Sequence, residues 1–526
     1  MKVVVVGGGL AGLTAALSAR SAGAVVTILE KCPKLGGNSA KASSGINGVP
    51  TAVQAVHKVS DSPAQLLADT VKSAAHSPRA NGLQQSLCHN SKDAIEWLQH
   101  NGIVLDSVVQ LGGHSAARTH NRHIAPGERA ANIGFEIMKA LIDKVTAEDS
   151  ITTVTNARVT KLLTSDEDPQ AVCGVSYVIQ AQDGQVSADA HLQQAEATQL
   201  KADAVVLACG GYSADRGPDS LLREHRPELC GDKPLPTTNG SFATGDGIKV
   251  AAAVGAKLVD MDCIQVHPTS WVDPNDPSSP TNFLAGEALR GHGGVLLDAS
   301  GQRFVDELQT RDHVTDKMSS HCSAMQIRGV TDQGLVPKCA LLVLGEQAIA
   351  RVGESTLGFY AFKKFVTFCN SVEELSQHSG IPAGTLRDTF AAYKDAAEAG
   401  RCASTGKTVF PGGGADLSTS QRFCVGYVTP AIHYSMGGCA INDSAMVLSA
   451  STGNPISGLF AAGEVSGGLH GKNRLGGNSL LECVVFGRIA GLKATARGAK
   501  CDCSETSLAS PEKMELRERL QVCGEA

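Results

Sequence analysis

The chain has 526 residues, 42% hydrophobic and 19% charged, enough for several domains with large cores and too apolar for wholesale disorder. Its net charge of −6 excludes a global basic field for nucleic acid, and no apolar run is long enough to span a bilayer. Glycine is abundant at 57 residues and aromatics are only 4%, a balance suited to tight turns and close backbone approaches.

The first thirty residues read as a βαβ unit. Val3-Val4-Val5-Val6 is a β-branched run, expected to be a fully buried strand. Gly7-Gly8-Gly9-Leu10-Ala11-Gly12 follows, then a helix over 13–22 that Gly23 ends, and a second strand over 25–29 that ends at Glu30. In this context Gly7 permits the tight turn, Gly9 admits a pyrophosphate and Gly12 lets helix and sheet pack closely. The helix N-terminus offers unpaired N–H groups to the phosphates. Glu30 would accept from ribose hydroxyls.

Directly after the second strand come Gly36-Gly37-Asn38-Ser39 and Ser43-Ser44-Gly45-Ile46-Asn47. Such small residues let backbone lie against a flat ring system, which favours FAD over NAD. Gly463-Glu464 offers a second glycine approach, as a long cofactor spanning the fold would use. No second G-x-G-x-x-G suggests a separate nicotinamide domain.

Further along, helices are expected over 63–76, 84–101 and 130–147, with β-rich stretches at 152–163 and 171–179 and a hairpin turn at Asp183-Gly184. Residues 204–208 read as another buried strand, closing at Cys209-Gly210-Gly211. From about 262 to 434 the pattern changes, with loop-rich sequence and helical segments dominating 371–400. A strand and glycine turn return at 458–464, a long helix closes the fold over 478–497, and 501–526 read as a polar tail. The simplest architecture is α/β: a Rossmann-like FAD-binding domain (1–261 and 435–500) split by an inserted α+β capping domain (262–434). The sixteen cysteines are scattered without C-x-x-C, so no metal site is expected; Cys501 and Cys503 are the only close pair. Reduced core thiols point to a reducing compartment, cytosol or organelle matrix, and neither terminus carries a readable address.

Five motifs carry a resemblance over about residues 1–497: Gln265-Val266-His267-Pro268-Thr269, Glu287-Ala288-Leu289-Arg290-Gly291, Thr310-Arg311-Asp312, His433-Tyr434-Ser435-Met436-Gly437-Gly438, and His470-Gly471-Lys472-Asn473-Arg474-Leu475-Gly476-Gly477-Asn478. The sequence resembles the soluble, haem-free fumarate reductase flavoproteins. The resemblance implies that His433 and Arg474 hold one substrate carboxylate and that His267 helps hold the other, with Gln265, Gly476 and Gly477 in the same pocket. It implies that Arg311 protonates the alkene, fed by Glu287 and Arg290. It extends the cofactor set to Leu10, Ala11, Lys31, Ala208, Gly210, Gly211, Asp246, Asn478, Ser479, Leu480 and Leu481.

Residues 38–43 contain no histidine, so the FAD is expected to be non-covalent. A dicarboxylate substrate and an external donor, either reduced flavin or an NADH-linked reductase domain, are the expected partners. Another enoate such as urocanate, or electron transfer without chemistry, are the alternatives. Gly286 stands where bacterial members of the family often carry a hydroxyl.

Overall fold

The computed structural model describes residues 1–75, 81–123, 132–169, 171–180, 197–231, 233–414 and 416–496. The expected hairpin turn at 183–184, the tail with Cys501 and Cys503, and the ends of three expected helices (76, 130–131 and 497) lie outside them. Contacts divide the chain into Met1–Thr495 and Ala496–Ala526; only the first residue of the latter is described.

The β-branched opening forms strand Lys2–Val6 at the centre of a six-stranded sheet. Val25–Leu29 and Ile151–Val154 lie to one side of it. Ala204–Leu207 and Pro455–Ala461 lie to the other, all parallel, with Met446–Leu448 antiparallel at the edge. Because the central strands are covered on both faces, they are continuous apolar runs, as in Val3–Val6 and Ala204–Leu207. Their C-terminal ends bring Gly7, Glu30, Ala208 and Ala462 to one edge, where open α/β sheets bind ligands.

Helix Leu10–Ser21 leaves that edge with Gly9 in extended conformation and no cap from its own side chain; Leu10 N–H donates to Ser39 Oγ at 3.2 Å, and the first turn points its N–H groups at the cleft. The closing helix Asn478–Ala496 packs on it through Gly487 and Gly491. A Cβ at these positions would stand 2.8 Å from Ala11 O and 2.3 Å from Ala15 O, so only glycine lets the helices meet at backbone distance.

A second sheet is antiparallel throughout. Ile264–Trp271 pairs with Phe423–Ser435, followed by Ala340–Leu344 and Val295–Leu297, while Thr367–Cys369 adds to Phe423–Ser435. Strand alternation feeds two separate cores. Ala340, Leu342 and Leu344 face one with Trp271; Leu341 and Val343 face the other with Phe390 and Tyr427.

One expected helix is split, and the helical segments expected over 371–400 are two. The stretch 84–101 forms Asn81–His89 and Ser91–His100, interrupted at Asn90. There Asn90 Nδ2 donates to Ser86 O and Ser91 Oγ to Cys88 O, the local competition that such side chains offer helical backbone. The stretch 371–400 forms Val372–Ser379 and Ala383–Glu398, separated by Gly380 at φ 75° and by Pro382.

Beneath the cofactor edge, burial places two imidazoles where charge is disfavoured. His120 bonds Thr51 Oγ1 (2.7 Å) and Arg118 O (2.9 Å), and His114 bonds Gly476 O (3.0 Å). Burial lowers both from 6.5 to about 4, helped at His114 by the Arg118 charge. A lowered folded value means that the unfolded chain takes up the proton first. Stability is therefore full above 6.5 and falls as pH drops toward 4. From pH 7 to pH 5 each histidine is expected to cost about 2 kcal/mol. Denaturant titrations at the two pH values check this: His120→Gln should flatten the slope, and an equal slope in both proteins would refute the assignment.

Candidate active site

A continuous cavity of about 1840 Å3 runs from the glycine turn to the face of the second sheet. Its first part is lined by Gly7, Gly9, Leu10, Ala11, Glu30, Lys31, Gly37, Asn38, Ser39, Ser43, Ser44 and Gly45. Ala208, Gly210, Asp246, Gly463, Glu464, Ser479 and Leu480 complete that part. Gly12, Gly36, Ile46, Asn47, Gly211, Asn478 and Leu481 stand behind it. The glycine turn leaves no room for larger residues: a Cβ at Gly7 would stand 2.5 Å from Ala208 O, and one at Gly12 1.9 Å from Gly7 O. At Gly9 the nearest atom is Ser39 Oγ at 3.7 Å, open space for a phosphate group. Glu30 is oriented by the N–H groups of Gly8 and Cys32, both at 2.7 Å. Lys31 pairs with Asp246 at 3.0 Å. Glu464, raised by burial, accepts from Ser435 N at 2.9 Å. This cradle fits a dinucleotide.

The far part of the cavity is lined by His267, His433, Tyr434, Arg474, Gly477 and Arg311. His267 comes from strand Ile264–Trp271 and His433 from its partner Phe423–Ser435, which sets their rings 5.0 Å apart. His267 Nδ1 lies 2.8 Å from Thr269 O and 3.1 Å from Thr269 N, and its Nε2 is buried without a partner. His433 Nδ1 lies 2.7 Å from Thr238 Oγ1. Burial, then the Arg311 charge, holds both imidazoles well below the usual range. They are therefore neutral, each with one N–H whose position the tautomer sets. Arg474 lies 4.3 Å over the Tyr434 ring, with Nε buried and unpartnered. Burial, then Arg311, pushes it well below its usual range. Two neutral imidazoles and an undercompensated guanidinium form a receptor for carboxylate.

Arg311 opens helix Arg311–His321 at the side of this pocket. Its Nε donates to Glu287 Oε2 (2.7 Å) and its Nη1 to Gln265 Oε1 (2.7 Å). Gln265 in turn donates to Arg474 O (2.9 Å) and Asn473 Oδ1 (3.0 Å), linking the two arginines. Burial would raise Glu287, but the Arg311 and Arg290 charges outweigh it and hold the carboxyl at about 2. Glu287 stands behind the lining, as do Gln265 and Gly476. Arg290 is also behind it: its Nη1 donates to Glu307 O, while Nε and Nη2 are buried without partners. Beside them Gly286 is tight, since a Cβ there would stand 2.5 Å from Ser43 Oγ, a buried hydroxyl without a partner.

Loop 110–114 is a part of the site that the sequence motifs did not announce. Gly112 N–H donates to Glu287 Oε1 at 2.8 Å, and His114 Nε2 meets Gly476 O. Thr238 behind His433 and Tyr434 beneath Arg474 were also without an assigned role. The run Gly112-Gly113-His114 was the only local signal, and glycine pairs are common in this chain.

Residues 2–480 match the FAD binding domain family. The chain is 39% identical to the fumarate reductase of Schizosaccharomyces pombe, over 94% of this chain and 89% of that protein. It is 41% identical to fumarate reductase 1 of Saccharomyces cerevisiae, over 93% and 97%. Among solved structures, the open conformation of a flavocytochrome c3 fumarate reductase superposes with a TM-score of 0.68 at 31% identity, over 95% of this chain and 78% of that one.

Proposed function

This chain belongs to the FAD binding domain family together with the yeast fumarate reductases, and we propose that it is an FAD-dependent oxidoreductase that reduces fumarate to succinate. The observation that carries the reading is the convergence of His267, His433, Arg474 and Arg311 on one cavity continuous with the glycine cradle. Bound and reduced, FAD supplies the hydride that one alkene carbon accepts. The chain's own groups do the rest. Gly7, Gly9 and the first turn of helix Leu10–Ser21 hold the pyrophosphate, and Glu30 the ribose. Arg474 and His433 bind one carboxylate, and His267 directs its free Nε2 to the other. Residues 262–434 act as a cap that excludes water from the pocket.

Arg311 delivers the proton to the neighbouring carbon. Guanidinium ordinarily keeps its protons. Here burial and then the Arg311 charge press on Arg474, and Arg290 is lowered by burial and by the same charge. Glu287, anionic at neutral pH, cannot store a proton; it accepts one only as Arg311 gives its own up.

Residues 38–43 contain no histidine, which supports non-covalent FAD, and a donor external to the described residues, reduced flavin or an NADH-linked reductase, completes the cycle. Anaerobic mixing of the reduced holoprotein with fumarate is expected to restore oxidised-flavin absorbance and yield succinate, with crotonate and urocanate inert. Acid precipitation should release all flavin to the supernatant. Failure with fumarate but reoxidation by urocanate would move the substrate class, and failure with every enoate would refute the enzyme reading.

A further inference from the structure

We propose that Gly112 and Gly476 form a backbone notch that receives the Glu287 carboxylate when residues 262–434 dock, so that docking and orientation of the proton-donating arginine are one event. The inference rests on the fumarate-reducing reading and assigns two positioning residues that touch neither substrate nor cofactor.

The carboxylate is held at both oxygens. Oε1 accepts the Gly112 N–H at 2.8 Å, and Oε2 accepts Arg311 Nε at 2.7 Å. The notch has no spare volume. A Cβ on Gly112 would stand 2.6 Å from Oε1 and 2.5 Å from Gln309 O, and one on Gly476 would stand 2.8 Å from Oε2. Real Cβ contacts essentially never fall below 3.0 Å, so either methyl would displace the carboxylate or the strap leading to Arg311. Neither glycine has a positive φ, so the backbone conformation does not require glycine there; the missing side chain does.

The two walls of the notch are tied together by His114, whose Nε2 meets Gly476 O at 3.0 Å. A parallel bond from Gly113 N to Leu308 O (2.9 Å) fixes the strap three residues before Arg311. Both loops lie outside residues 262–434, whereas Glu287, Leu308 and Arg311 lie within them. Separation of the two would release Oε1, leave the carboxylate free to rotate, and with it the direction of the Arg311 N–H groups. A proton donor assembled only on docking would protect the reduced state from premature discharge.

The test is Gly112→Ala and Gly476→Ala, each compared in the wild-type and the Glu287→Gln background. Single-turnover reoxidation by fumarate should slow about 100-fold in the wild-type background, as for a misplaced catalytic group, with KM nearly unchanged and full FAD content. In the Glu287→Gln background the same alanines should cost nothing further. Unchanged rates, or an equal fractional loss in both backgrounds, would overturn the proposal. Hydrogen exchange on the Glu287→Ala holoprotein gives a readout that needs neither alanine variant to fold. The Gly112 amide should exchange faster than in wild type, and unchanged protection would overturn the notch. Wild-type protein inert toward fumarate would remove the substrate reading while leaving this exchange result to judge the notch by itself.

Discussion

Arg311→Gln is expected to slow the reoxidation of reduced holoprotein by fumarate by about 10^4-fold, the upper range for loss of a positioned acid. FAD content should be unchanged, because Arg311 donates to Glu287 and Gln265 and to no residue of the glycine turn or the 36–47 loop. Glutamine keeps polarity and some length but has no ionisable proton. Arg311→Lys should recover little. One ammonium cannot reproduce the fork that meets Glu287 through Nε and Nη2 while Nη1 holds Gln265, and it would place its proton where the shorter stem allows. The loss should fall on kcat with a smaller change in KM, the mark of a group that acts in the transition state. Stopped-flow flavin absorbance measures it. A rate within tenfold of wild type would move the acid elsewhere, with Glu287 or a histidine the residues left to carry it.

What the sequence announced was local. The Val3–Glu30 unit was legible because its strand, turn and helix are neighbours and its glycines act on each other within five residues, Gly12 against Gly7 O. His267 and His433 stood out through the motifs around them, and the structure brings both rings to one cavity. The links between motifs were not. Gln265 joins Arg311 to Arg474 across more than two hundred residues, and Gly112 meets Glu287 from a loop without a pattern of its own. The buried supports were equally silent. Arg118, between Asp61 and Asp69, is a fully enclosed ion cluster under the 110–115 loop, and each member alone resembles a surface charge. Arg303, Glu307 and Lys407 form another behind Arg290. Pairing of this kind depends on which distant strands meet, and periodicity carries no record of it. The break at Asn90 was hidden for the opposite reason: helix propensity outweighed a single polar residue whose local bonds decided the outcome.

Arg474 is the second position where a single change should be decisive, and its two effects have opposite signs. Without substrate its guanidinium lies over Tyr434 with Nε unpartnered, inside a wall where Arg311 adds repulsion and Glu464 gives partial relief. Such a charge is destabilising until a carboxylate arrives to satisfy it. Arg474→Met removes the charge and keeps the stem volume against Tyr434. The substrate-free holoprotein should therefore melt higher, by about 2 °C if about 1 kcal/mol of unsatisfied charge is relieved. Succinate should no longer raise that temperature, and KM for fumarate should rise at least 100-fold, as when one member of a buried charge pair is lost. Differential scanning fluorimetry with and without succinate, beside steady-state kinetics, reads all three. Methionine that lowers the melting temperature would mean that Arg474 is compensated in the empty site and supports the fold, and an unchanged KM would place carboxylate recognition on the histidine pair alone.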